Sequence, residues 1–205
     1  MTTLKDLKRR EKEARRHLII SAAQRLFAER DFRQVTAREI ARKIDVSPGT
    51  IYRYYRNMDE LFLDIFLIHA SEISRLFEDA LEKEGDCSVR QICRIQVAYL
   101  NDHMAFYQMM SHFMLAGDLP SDTSKKMDPI MRRLLDHLET VLKLAGVEDQ
   151  PRLQAHALFA ALNGTMISYA RYPGRNLEEV KKHTMRLADV IADRFTPAKL
   201  LSKNR

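Results

Sequence analysis

The sequence has little of what small extracellular scaffolds and metal proteins are built from. Cys87 and Cys93 are its only cysteines, with no CxxC spacing and no histidines nearby in a finger pattern. Neither a disulfide framework nor a metal site is expected, and no cofactor either. Six Gly and six Pro are few for 205 residues, whereas Leu, Ala, Met, Glu, Lys and Arg, all good helix formers, dominate; an all-α chain is expected. The amino end lacks the apolar stretch of a secretory signal, which makes the cytoplasm the expected compartment. Leu153 to Ala170 carry no formal charge, but Gln154, His156, Asn163 and Ser168 interrupt them, so a buried helix is expected rather than a membrane span. There is no P-loop, GxGxxG, GxSxG elbow or HExxH, and the chain is not expected to be an enzyme.

What is present is a basic excess confined to one end. Residues 1–60 carry 15 Lys and Arg against 9 Asp and Glu, while residues 61–205 carry 19 of each, so the whole net charge of +6 lies in the first 60 residues. That is the footprint of a segment that neutralises phosphates, although a solvated surface or an anionic membrane would also account for it. Apolar residues make up 45% of the chain, enough for a sizeable core.

Hydrophobic periodicity and caps divide the chain into helices. Residues 4–16 are charge-dense and either extend the first helix or form a loose arm. From His17 the pattern turns amphipathic, with Ile19, Ala22, Ala23, Leu26 and Phe27 at helical spacing up to about Arg30. Thr36 with Glu39 forms a capping box that opens a short helix at Ala37. Asp45 occupies a turn, Ser47 is a fitting N-cap, and Pro48 stands at the first helical position, where its missing N–H costs nothing. The helix so begun is expected to run to about Tyr55. Asn57 and Glu60 open a long helix to about Glu84, stopped by Gly85. Further helices are expected over 88–103, 104–116, 123–145, 151–171 and 177–195, separated by Gly117, Pro120, Gly146, Pro151, Pro173 and Gly174, with Asn176 and Glu179 capping the last.

Two short helices joined by a tight turn and packed on an amphipathic helix make a helix-turn-helix. In the second, Ile51 and Tyr55 are expected to point inward with Val46, and Thr50, Arg53 and Tyr54 outward. Eight residues at 1.5 Å each span about 12 Å, matching a major groove about 12 Å wide. Gly49 permits close approach to a duplex. Arg53 is the side chain suited to a bidentate pair with guanine O6 and N7, and Thr50 suits a base edge or thymine methyl. The hydroxyls of Tyr52 and Tyr54 suit phosphate oxygens. Thr36, the backbone amides at Ala37 and Arg38, and the Arg38 side chain would hold the other strand at a helix N-terminus. The expected double-stranded DNA interface is therefore Thr36, Ala37, Arg38, Ser47, Pro48, Gly49, Thr50, Tyr52, Arg53 and Tyr54.

The run Ile20, Ala22, Ala23, Leu26, Phe27, Phe32, Thr36, Ile40, Ala41, Val46, Ser47, Gly49, Thr50, Ile51, Tyr52, Tyr54, Tyr55 and Leu61 resembles the TetR family of bacterial transcriptional regulators over about a quarter of the chain. The resemblance implies an all-helical homodimer of about nine helices per subunit. It also implies a DNA-binding domain, here 1–60, and a ligand-binding and dimerisation domain, here 61–205. Three positions depart from the family pattern. Asp31 and Asp45 stand where Gly is usual, both expected to need positive φ, and Met58 replaces a phosphate-gripping Lys. Arg56 or the basic arm (Lys8, Arg9, Arg10, Lys12, Arg15, Arg16) would compensate, although such a charge run is as readily a solvated face.

Leu177, Val180, Thr184, Leu187, Ala188, Ile191 and Phe195 form a seam that, with Ala157, Ala160, Ala161 and Gly164, reads as a homodimer interface or as packing within one subunit. Met104, Phe106, Tyr107, Met109, Met110, Phe113 and Met114 form a sulfur-rich block that either lines a pocket or fills a core. For a pocket, the expected ligand-binding residues are Tyr99, His103, Met104, Tyr107, Met110, Phe113, Met114, Asn163 and Tyr169. The effector would be large and hydrophobic: a lipophilic drug, an aromatic compound or a fatty acyl thioester. His69 is expected to be a hydrogen-bonded core histidine, and the cysteines to be inert. The function expected is a sequence-specific transcriptional regulator, a repressor released from a palindromic operator by its ligand. A sequence-tolerant architectural DNA-binding protein is the alternative.

Overall fold

The computed structural model describes residues 3–82, 87–115, 121–169 and 172–197, with Phe113, Met114 and residues 121–124 described by backbone alone. Among the described residues every regular element is helical: α1 (Leu4–Glu29), α2 (Ala37–Lys43), α3 (Pro48–Tyr52), α4 (Met58–Glu82), α5 (Val89–Asp102), α6 (Met104–Leu115), α7 (Ser121–Leu144), α8 (Pro151–Tyr169) and α9 (Leu177–Phe195). Gly85, Gly117 and Pro120, expected as helix breaks, lie outside the described residues. None of the described helices is long and apolar enough to cross a membrane.

The chain folds as two compact units, residues 1–68 with 104–118, and residues 69–103 with 119–205. In the first, α1 is a single helix of 26 residues, so the charge-dense stretch is neither loose nor separate. A cap explains its start: Thr3 Oγ1 accepts from the Asp6 N–H at 3.2 Å, and the Thr3 N–H donates back to the Asp6 carboxylate at 3.1 Å. Its core face buries Ile19, Ala23 and Phe27. Phe27, Phe32 and Phe62 pack edge to face with centroids 5.0–6.2 Å apart, each such pair adding about 0.5–1.5 kcal/mol beyond burial. From α6, Phe106 and Met109 enter the same core, Phe106 lying 5.4 Å from Phe66.

The second unit is built on α5, whose buried Ile92, Cys93, Val97 and Leu100 face α7, α8 and α9. The seam expected on α9 divides. Val180, Thr184 and Ala188 are buried within the subunit, with the Asn101 amide donating to Thr184 Oγ1 at 2.9 Å. That face is therefore covered by α5 and is unavailable to a partner. Arg94 clamps Asp189 through two hydrogen bonds of 2.7 and 2.9 Å on the flank of the same pair of helices. α7 ends where Gly146 takes φ 77°; the Val147 N–H reaches back to the Leu142 carbonyl at 3.0 Å, the Schellman closure.

Candidate nucleic-acid interface

Local chemistry sets up the two short helices. Thr36 caps α2 in a capping box with Glu39, the Thr36 hydroxyl donating to the Glu39 carboxylate at 2.8 Å. Arg30 also grips Glu39, and its guanidinium, ahead of the Thr36 contacts, holds the Glu39 carboxyl down at about 2. The first turn of α2 thus carries an internal anion, the Glu39 carboxylate that the capping box implies, beside the amides expected to hold phosphate. α2 closes in a Schellman turn, the Val46 N–H reaching the Ala41 carbonyl at 3.0 Å, with Asp45 in the left-handed region at φ 53°. The expectation of positive φ holds for Asp45 and fails for Asp31. Asp31 has φ −55° and caps the 3-10 turn Phe32–Gln34, its side chain accepting from the Arg33 N–H at 3.0 Å and binding the Arg33 guanidinium.

α3 is shorter than expected, five residues rather than eight. Its hydrogen bonding nonetheless continues, from the Arg53 N–H to the Gly49 carbonyl at 3.2 Å and from the Tyr55 N–H to the Ile51 carbonyl at 3.0 Å. The turn that carries Arg53 and Tyr54 is therefore still held to the helix. Ser47 stands at the N-cap, but its hydroxyl caps no backbone amide. It lies 3.1 Å from Thr50 Oγ1 instead, a side-chain pairing that competes with the cap.

Two apolar anchors fix the rotation of this helix, Ile51 at 1% and Tyr55 at 5% exposure. Opposite them Ser47, Pro48, Gly49, Tyr52 and Arg53 are exposed, as are Thr36 and Arg38, while Thr50 and Tyr54 are half-buried. Ala37 is buried, so its methyl serves the core and any contact it makes outside comes from its backbone amide. At Gly49 an added Cβ would meet nothing closer than Ser47 Oγ at 3.7 Å, an ordinary contact. Nothing among the described residues requires glycine there.

Two features of this unit had no sequence signal. Arg16 binds Asp64 through two hydrogen bonds, one of 2.8 Å, and the Tyr55 hydroxyl donates to the same carboxylate at 2.6 Å. Arg16 is therefore a structural cation. In addition, Lys8, Glu11, Lys12, Arg15, Arg53 and Tyr54 line one cleft of about 270 Å³.

The expected ligand-binding residues fall in both units. In the first, Tyr107 and Met110 are buried and Met104 is half-buried, whereas the side chains of Phe113 and Met114 lie outside the described residues. In the second, Tyr99 and His103 come together with ring centroids 4.2 Å apart. The Tyr99 hydroxyl donates to Glu72 at 2.8 Å and lies 2.7 Å from Nδ1 of His69. His69 is thus the hydrogen-bonded core histidine expected, and burial, aided by His103, pushes its pKa down to about 4. The Asn163 amide donates to the Phe159 carbonyl of its own helix at 2.9 Å. Tyr169 keeps other company, Tyr172 and His183. Cys93 is buried and its thiol is raised to about 12 by that burial, which leaves it unreactive.

Residues 19–65 match the family model for "Bacterial regulatory proteins, tetR family". The chain is 37% identical over 91 residues to the HTH-type transcriptional regulator HbdR of Aromatoleum sp. (strain CIB), a match covering 42% of this chain and 38% of that protein. The chain thus spans little more than a third of the length of the curated relatives it matches. Among solved structures, the TetR family transcriptional regulator PfmR from Thermus thermophilus superposes with a TM-score of 0.65 at 18% identity, over 85% of this chain and 97% of that one. The transcriptional regulator FadR from Bacillus subtilis, solved in complex with stearoyl-CoA, gives 0.64 at 17% identity over 84% and 96%. At such identities the two structures speak for the fold, while the family model speaks for the helix-turn-helix segment. Residues 19–65 thus match the TetR family of bacterial transcriptional regulators, and the chain as a whole is similar in fold to solved proteins described as such regulators.

Proposed function

We propose that the chain is a sequence-specific repressor that reads a palindromic operator as a homodimer and is released by a hydrophobic small molecule, within the cytoplasm. The observation that carries the DNA half is Arg53, exposed on a helix whose opposite side is locked by buried Ile51 and Tyr55. A guanidinium held on a rigid scaffold suits a guanine edge, a contact contributing about 1–3 kcal/mol of discrimination. Gly49 supports the same reading, because no described residue comes close enough to need its missing Cβ. On this reading residues 1–60 bind DNA, through Thr36, Arg38, Thr50, Tyr52 and Tyr54 besides Arg53, and residues 61–205 bind the effector and dimerise.

Dimerisation is supported by the outer side of α8 and α9. Leu153, Ala157, Ala160 and Ile167 are exposed at helical spacing on α8, as is Val190 on α9, with Leu187 and Ile191 half-buried beside it. Small and apolar residues in such a stripe let two helices approach closely. A two-fold dimer presents two recognition helices to two half-sites.

The effector half rests on chemistry. Tyr99 and His103 of the second unit are polar groups, and Met104 and Met110 of the first are adaptable apolar ones, each kind suited to contacting a large lipophilic compound. A fatty acyl thioester is one member of that class, in keeping with the stearoyl-CoA bound by FadR. Release follows if the ligand prefers a conformation of low DNA affinity, transmitted by α4, which contributes residues to both units. The test is a mobility shift with the duplex upstream of its own gene and a scrambled duplex, with and without acyl-CoA. A repressor of this kind prefers the first duplex, loses the preference in Arg53→Ala, and lets go on adding ligand. Equal binding to both duplexes with steep salt dependence points instead to an architectural protein.

A further inference from the structure

The cleft beside the recognition helix gathers cations that the fold does not otherwise need. Lys8, Glu11, Lys12 and Arg15 recur at i, i+3, i+4 and i+7 on α1, so they share one face of a rigid helix. They line the same space of about 270 Å³ as Arg53 and Tyr54. Four cations meet a single carboxylate there, Glu11, which pairs with Arg15 at 2.6 Å. Such crowding of like charge is unfavourable until an anion enters. The other basic residues of the stretch are placed differently. Arg16 is committed to Asp64, Arg9 lies 3.4 Å from Asp6, and neither they nor Arg10 line the cleft.

We propose that this cleft seats a DNA backbone phosphate, gripped by Lys8 and Lys12 and approached by the Tyr54 hydroxyl, so that the first turns of α1 clamp the strand flanking the bases read by Arg53. The inference rests on the DNA-binding reading above and adds to it a defined set of phosphate contacts. Lys8 and Lys12 then take over the role of the Lys replaced by Met58. Glu11, held by Arg15 at 2.6 Å, offsets part of the positive charge of the seat and so opposes the incoming phosphate.

The experiment compares two charge-matched double variants of the full chain, Lys8→Ala/Lys12→Ala and Arg9→Ala/Arg10→Ala, on a duplex that the wild-type chain recovers from a random-sequence pool. Each removes two positive charges from the exposed side of one helix, and thermal melting checks that both fold. The first is expected to weaken binding roughly ten-fold or more at 0.1 M salt and to flatten the slope of log affinity against log salt by about 1.8 per engaged subunit. Its preference for the recovered over a scrambled duplex is unchanged, because phosphates carry no sequence. The Arg9/Arg10 variant keeps the wild-type slope, and Glu11→Gln tightens binding. Equal losses in the two double variants would reduce the effect to a diffuse field and overturn the proposal, as would a wild-type slope in Lys8→Ala/Lys12→Ala. If the wild-type chain recovers no preferred duplex at all, the DNA-binding reading itself has failed and the seat falls with it, an outcome separate from failure of the variants alone.

Discussion

The Tyr55 hydroxyl donates to Asp64 at 2.6 Å, and that carboxylate is also the partner of Arg16. One half-buried anion thereby joins α1, the turn that follows α3 and the first turns of α4. Its removal leaves the Tyr55 hydroxyl without this acceptor and Arg16 with Glu13, 3.5 Å away, in place of two bonds to Asp64, whereas removal of the tyrosine hydroxyl leaves the ion pair intact. Tyr55→Phe is expected to cost about 1 kcal/mol and Asp64→Ala about 1.5–3 kcal/mol, read from urea denaturation. DNA affinity should fall more in Asp64→Ala than in Tyr55→Phe, since only the former frees α1.

Gly49→Ala separates stability from function. A helical alanine is better than glycine by up to about 1 kcal/mol, and the added Cβ finds only ordinary contact. The variant is expected to melt no lower than the parent and to bind its duplex more weakly, measured by melting and mobility shift on one preparation. Unchanged affinity would mean that no duplex comes close to Gly49.

Asp45 carries a conformational strain that glycine would relieve. An L side chain at φ 53° is disfavoured even when it is Asp. Asp45→Gly is therefore expected to raise stability by about 1 kcal/mol with the Schellman turn retained, visible as a higher melting temperature.

His69 makes stability depend on pH. Its folded pKa of about 4 lies below the ordinary 6.5, so between those values the unfolded chain holds a proton that the folded one does not. Stability is expected to be full above about pH 6.5, to decline by about 2–3 kcal/mol as pH falls towards 4, and to be insensitive to this group below that. Denaturation curves at pH 7 and pH 5 check it, and His69→Gln removes this part of the decline.

Val190→Asp tests the outer face of α9. Val190 is 55% exposed, so the change costs the subunit itself little. On the dimer reading it places two carboxylates across a two-fold axis, and sedimentation is expected to show monomers that no longer hold a palindromic duplex. A dimer undisturbed by the change would move the interface elsewhere.

Much of the local chemistry was readable from the sequence, the Ser47 hydroxyl excepted, since it pairs with Thr50 and caps no amide, and long-range chemistry was not. Thr36 with Glu39, Asn57 with Glu60 and Asn176 with Glu179 all form the amide-to-side-chain bonds that their spacing implies, because a cap is decided within four residues. The rotation of α3 was readable because Ile51 and Tyr55 are apolar bodies one turn apart. Asp31 and Asp45 present the same residue type in two turns, and only the backbone around them decides that one takes φ −55° and the other φ 53°. Arg16 looked like one more charge of a basic run; its partner Asp64 is 48 residues away, beyond any pattern. Likewise α9 presents Val180 and Val190 at helical spacing, and which faces its own subunit depends on where α5 lies.

The continuity of α1 bears on how quickly this protein would find its target. A tail that had to wind into a helix on the duplex would give up about 1–2 kcal/mol of backbone entropy for each residue ordered. Here the rod is already wound from Leu4, so that cost is met when the chain is made and not at each encounter. Association then becomes a matter of long-range attraction and collision, fast at low ionic strength and slowed as salt is added.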